Sequence, residues 1–136
     1  MRLIGLATTA VLLAGTAGCA TLGEAPCAAG FDRATTVELL FGRNIGSRLG
    51  VSDADWRRFV AEEIAPRFPA GFTVLDGAGQ WRGDDGTIVS EPSKLVVIVA
   101  VAPEARPQVE AVRAAYKERF QQEAVLAIAR EECVGF

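Results

Sequence analysis

The run Lys94-Leu95-Val96-Val97-Ile98-Val99-Ala100-Val101 constrains the fold more than any other segment. It is β-branched and apolar at odd and even positions alike, so it reads as a strand with both faces covered. The flanking segments supply the rest of a sheet. Thr36 to Arg43 (TVELLFGR) alternates as a first strand. Ser52 then caps a helix, with Asp55 as its acidic capping-box partner and Val51 stapled onto Trp56. Trp56, Phe59, Val60 and Ile64 give that helix one apolar face, and Pro66 closes it. Phe72 to Arg82 reads as a second strand, in which Gly77 and Gly79 predict a bulge or bend. Gly83-Asp84-Asp85-Gly86 has the composition of a hairpin turn. Thr87 to Val89 is extended again, and Pro92 is expected to interrupt it. A second helix starts at Pro103 or Pro107 and runs to Phe120, with Val109, Val112, Tyr116 and Phe120 on one stripe. Ala124 to Ala129 makes the last strand.

The order β-α-β-β-α-β predicts an α+β, ferredoxin-like sandwich. Its antiparallel or mixed four-stranded sheet has the spatial order 4-1-3-2, with both helices on one face. The doubly apolar third strand calls for a cover on the other face. A second copy packing sheet to sheet, as in dimeric α+β barrels, would supply it. So would the N-terminal leash or the long hairpin of a monomer.

The first residues carry an address. Arg2 is followed by an uncharged apolar stretch from Leu3 to Ala14, and then by the small residues Gly15-Thr16-Ala17-Gly18 before Cys19. Thr16-Ala17-Gly18-Cys19 resembles a bacterial lipobox, which implies cleavage after residue 18 and lipidation of Cys19. Ala20 at the next position is not Asp, and by that resemblance favours the outer membrane. An ordinary cleaved signal and an uncleaved anchor over Leu3–Gly23 compete with this reading. The chain therefore divides into a signal peptide 1–18, a Gly-, Ala-, Pro- and Thr-rich tether 19–35, and a domain 36–136. Several acyl chains would hold it stably on a membrane facing the periplasm.

With Cys19 lipidated, Cys27 and Cys133 remain, and an even remainder in an oxidising compartment suggests a disulfide. Two separate thiols are the alternative. The predicted topology favours the bridge, because the start of the first strand lies beside the end of the fourth.

Composition excludes several functions. The net charge is −3 and the central strand carries no aromatic residue for stacking bases, which argues against nucleic acid. The absence of histidine removes the commonest acid–base catalyst and metal ligand. No CxxC, GxGxxG or phosphate loop is present, and Asp53-Ala54-Asp55 and Asp84-Asp85 do not continue as calcium loops. No cofactor, metal or catalytic residue is assigned.

The candidate ligand-binding residues fall at two predicted ends of the sheet. Arg43, Asn44, Tyr116 and Gln122, with Gln121 and Glu123, lie at one; Trp81, Arg82, Glu91 and Lys94, with Ser93, lie at the other. Either set could hold a small anion. The structural alternatives are an Arg43–Glu123 ion pair, a packing role for Trp81, and solvation of the hairpin by Glu91 and Lys94.

The blocks ELLFGRNIG (38–46), VSDADWRRFVAEEIAPRFPAGFTVLDGAGQWR (51–82), EPSKLVVIVA (91–100) and VRAAYKERFQQEAVL (112–126) resemble an uncharacterised bacterial domain-of-unknown-function family, DUF3574. Several members of that family look exported or lipid-anchored. The resemblance implies no activity. It marks Arg43, Asn44, Trp81, Arg82, Glu91 and Lys94 as residues to test. A lipid-anchored binding or interaction module of the cell envelope is the leading expectation, and a small cofactor-independent enzyme on a dimeric α+β barrel is the alternative.

Overall fold

The structure is a computed structural model that describes residues 25–82, 86–101 and 105–136. The signal segment 1–18, Cys19, turn residues 83–85 and Pro103 fall outside the described residues. The elements are β1 (Asp32–Gly42), a short ribbon of β2 (Asn44–Ile45) and β3 (Arg48–Leu49), α1 (Asp53–Phe59), β4 (Thr73–Arg82), β5 (Ile88–Val101), α2 (Arg106–Phe120) and β6 (Leu126–Val134).

The main sheet has the order β4-β5-β1-β6, the expected ferredoxin-like arrangement. Every neighbouring pair is antiparallel, so the sheet is not mixed. Each helical crossover skips one strand. β1 and β4 therefore flank β5, while β5 and β6 flank β1, and the parallel partners never touch.

Alternation decides what each face carries. Val37, Leu39 and Phe41 of β1 and Val96 and Ile98 of β5 are buried against the helices. The helices answer with Trp56, Phe59 and Ile64, and with Val109, Val112, Tyr116 and Phe120. The rings of Phe41, Trp56, Phe59, Tyr116 and Phe120 form one cluster, with Phe41–Tyr116 and Tyr116–Phe120 centroids at 4.8 Å. On the opposite face Leu40, Leu95 and Val97 are half-buried, while Leu75, Val99 and Leu126 are exposed. Within one chain, then, only one face of the central strand is fully covered.

Several local expectations are corrected. β1 starts at Asp32 rather than Thr36, because residues 32–35 pair with 131–134 of β6. The β4–β5 register is unbroken from Thr73↔Val97 to Arg82↔Ile88, so Gly77 and Gly79 make no bulge. Pro92 sits inside β5 without interrupting it. Its carbonyl accepts from the Arg43 N–H at 3.0 Å, on the β1 side. The N–H that proline lacks would have faced the Arg43 carbonyl, and that carbonyl instead accepts from Gly50 and Val51 at 2.9 and 3.0 Å. The Ser52 cap forms as predicted, its Oγ accepting from Asp55 N at 3.1 Å. Past Phe59 the helix widens into a π turn over Val60–Ile64, with Ala65 N–H bonded to Val60 O at 2.9 Å. Pro66 follows directly, and its ring has no room over the carbonyl four residues back in a regular α turn.

Cys27 and Cys133 are disulfide-bonded, with Cα atoms 5.5 Å apart. The bridge pins the segment before β1 to the end of β6.

Candidate functional site

The two predicted polar ends are one end. Because β1 and β5 are antiparallel, the exit of β1 lies against the entry of β5, and Gly42 pairs with Ser93. β4 ends and β6 begins at this same end of the sheet. Three elements converge on the backbone at 42–44. Tyr116 Oη donates to the Gly42 carbonyl at 2.7 Å, and Gln122 Nε2 to the Asn44 carbonyl at 2.6 Å. The Asn44 N–H donates to Glu91 Oε1 at 2.7 Å. Gln121, in the left-handed conformation at φ 52°, ends α2 and turns the chain so that Gln122 can make this contact.

Alternation then splits the candidates between the two faces. Arg43 shares the parity of Leu39 and Phe41, and Lys94 that of Val96, so both lie on the helix face. Arg43 donates through Nε to the Val51 carbonyl at 2.9 Å and pairs through Nη2 with Asp53 at 2.9 Å. Lys94 bonds Asp76 and lies 3.7 Å from Asp53. The Lys94 hydrogen bond holds the Asp76 carboxyl below its usual range. Arg43 thus pairs with Asp53, not with the suggested Glu123. Tyr116 is also on this side, and burial pushes its hydroxyl well above the usual tyrosine range.

The other five candidates, Asn44, Trp81, Arg82, Glu91 and Gln122, line a cleft of about 820 Å³ on the open side of the sheet. Its floor is shaped by glycine. A Cβ at Gly42 would sit 2.5 Å from Glu91 Oε2, so only glycine lets the carboxyl lie flat against β1. A Cβ at Gly79 would meet nothing within 4 Å, which leaves a hollow. Gly79 stands directly across from Glu91, and Trp81 is the next residue of β4 on that face. Trp81 is 46% exposed, so part of its ring is open to the cleft. Glu91 is only 7% exposed; burial raises its pKa, opposed by backbone N–H groups led by that of Asn44. Arg82 donates to the Gly86 carbonyl at 2.9 Å. Among the described residues no three Asp, Glu or Cys side chains gather as metal ligands.

The sequence reading missed the role of Gly42 and Gly79. The available signal was the shared parity of Gly77, Gly79 and Trp81, which strips one face of a strand and leaves a single large ring at its end.

The sequence profile described as "Protein of unknown function (DUF3574)" matches residues 36–136. No curated protein matches the chain. Among solved structures it is similar to a phage SAM lyase in complex with S-methyl-5′-thioadenosine, with a TM-score of 0.59 and 16% identity over 83% of this chain and 95% of that one. The apo form of a phage SAM lyase gives a TM-score of 0.57 and 19% identity over 76% and 90%. At this identity the likeness is one of fold.

Proposed function

The chain belongs to the DUF3574 family, and on that premise we propose that it is a lipid-anchored cell-envelope protein whose α+β domain binds a small ligand in the open-face cleft. The observation that carries the ligand reading is the hollow above Gly79, walled by the buried Glu91 carboxyl and the exposed Trp81 ring. Pockets that combine an apolar wall with a few fixed polar groups are where small molecules bind. The Cys27–Cys133 bridge supports export, since such bonds persist in oxidising compartments. The lipobox-like Thr16-Ala17-Gly18-Cys19 supports the anchor.

S-methyl-5′-thioadenosine, present in the similar phage structure, is a suitable first probe because its flat ring can stack on Trp81. Titration should shift the Trp81 indole N–H resonance in wild type and leave it unmoved in Gly79→Leu, which fills the hollow. Binding that survives Gly79→Leu would place the ligand elsewhere. Globomycin-sensitive maturation tests the anchor, and membrane association of a Cys19→Ala variant would favour an uncleaved helix instead.

The second reading, a cofactor-independent enzyme, is favoured by the likeness to a lyase fold and by a buried carboxyl of raised pKa inside a cleft. Consumption of SAM by wild type but not by Glu91→Gln would move the assignment to catalysis; no consumption would leave the binding module.

A further inference from the structure

Resting on the reading of the cleft as a ligand site, we propose that its ligand is a small organic cation, seated in the hollow above Gly79 between the Glu91 carboxylate and the Trp81 indole.

Three observations carry this. First, Glu91 is a buried carboxyl that no Arg or Lys pairs with among the described residues. The two nearby buried cations, Arg43 and Lys94, lie on the other face and pair with Asp53 and Asp76. A desolvated carboxylate without a cation is costly. The donors it meets are backbone N–H groups, that of Asn44 first at 2.7 Å, and a neutral amide oxygen would accept them as well. The negative charge is therefore surplus to the fold. Second, the space beside that charge is open. Gly79 faces Glu91 across the β4–β5 ladder, and nothing stands within 4 Å of its missing Cβ. Third, the next residue on that face is an indole 46% exposed, the strongest aromatic partner for a cation. The lining carries two carboxylates, Glu91 and Glu123, against one cation, Arg82, whose guanidinium is turned to the Gly86 carbonyl. The cleft thus favours positive charge.

The test uses the disulfide-bonded protein and two probes of equal shape. Choline carries a trimethylammonium group; 3,3-dimethylbutan-1-ol is its uncharged isostere. With the Trp81 indole resonance as readout, choline should bind at least tenfold more tightly than the alcohol. Glu91→Gln should erase that preference, and Gly79→Leu should abolish binding of both. Equal affinity for the two probes overturns the cation assignment, and a full preference that survives in Glu91→Gln overturns the seat beside Glu91. If S-methyl-5′-thioadenosine binds and choline does not, the cation assignment falls while the cleft reading stands. If none of the three moves the Trp81 signal, both fall.

Discussion

Arg43, Lys94 and Glu91 are charged side chains at the same end of one sheet, buried to the same depth at 8%, 8% and 7% exposure, yet their circumstances are opposite. On the helix face each cation reaches a carboxylate, Asp53 or Asp76, that remains largely in water. The charge is neutralised while the desolvation is shared with solvent. On the open face Glu91 lies in a cleft, with backbone N–H donors but, among the described residues, no paired cation. The first arrangement serves the fold. The second costs the fold something and presents a charge to whatever enters the cleft, and trading stability for activity in this way is a mark of functional sites.

The largest effect expected comes from reducing Cys27–Cys133, which closes a loop spanning 106 residues. Reduction should cost about 4.7 kcal/mol in denaturant unfolding on the chain-entropy scale. It should leave ligand affinity unchanged, because the bridge sits beside Arg33 and the cleft beside Gly42, about 30 Å away along β1. Loss of binding on reduction would merge the two regions that the comparison separates.

Next come the neighbours Leu39 and Leu40, on opposite faces of β1. Leu39→Ala on the helix face should cost about 2–5 kcal/mol and Leu40→Ala less than half of that. Equal costs would mean that the open face is covered in solution, as a second copy would cover it. Arg43→Ala strips the Val51 carbonyl of its side-chain donor and should cost about 1–3 kcal/mol.

The smallest effect is the most diagnostic. Glu91→Gln should leave stability at neutral pH within about 1 kcal/mol of wild type, or raise it. The two faces also answer pH with opposite sign. Glu91's carboxyl is raised in the folded state, so its contribution is full below its ordinary value of 4.5 and is lost as pH rises through the folded value. Asp76's is lowered by Lys94, so its contribution is present above its ordinary 3.8 and is lost as pH falls through the folded value. Stability curves of Glu91→Gln and Asp76→Asn against pH should therefore both approach wild type in acid and part from it as pH rises, Glu91→Gln upward and Asp76→Asn downward.

Much of the fold was legible because apolar periodicity and turn residues act locally. The strand order, the Ser52 cap, the Val51 and Trp56 burial and the two helix faces all follow from them. What escaped depends on partners distant in sequence. Pro92 is tolerated only because Gly50 and Val51 satisfy the Arg43 carbonyl. The regular strand through Gly77 and Gly79 is set by its pairing with β5. The candidate residues were placed at two ends, and the antiparallel register joins those ends into one. The parity shared by Arg43 and Phe41, and by Lys94 and Val96, was enough to assign those two to the helix face. The role of Glu91 required the Gly42 contact, which no spacing rule announces.

The central claim is that Glu91 is kept charged for a ligand and not for the fold. One paired measurement on Glu91→Gln tests it: thermal unfolding at neutral pH together with choline titration of the Trp81 resonance. The account predicts a melting temperature equal to or above wild type, with the preference for choline over its uncharged isostere gone. A lower melting temperature with that preference intact would contradict it.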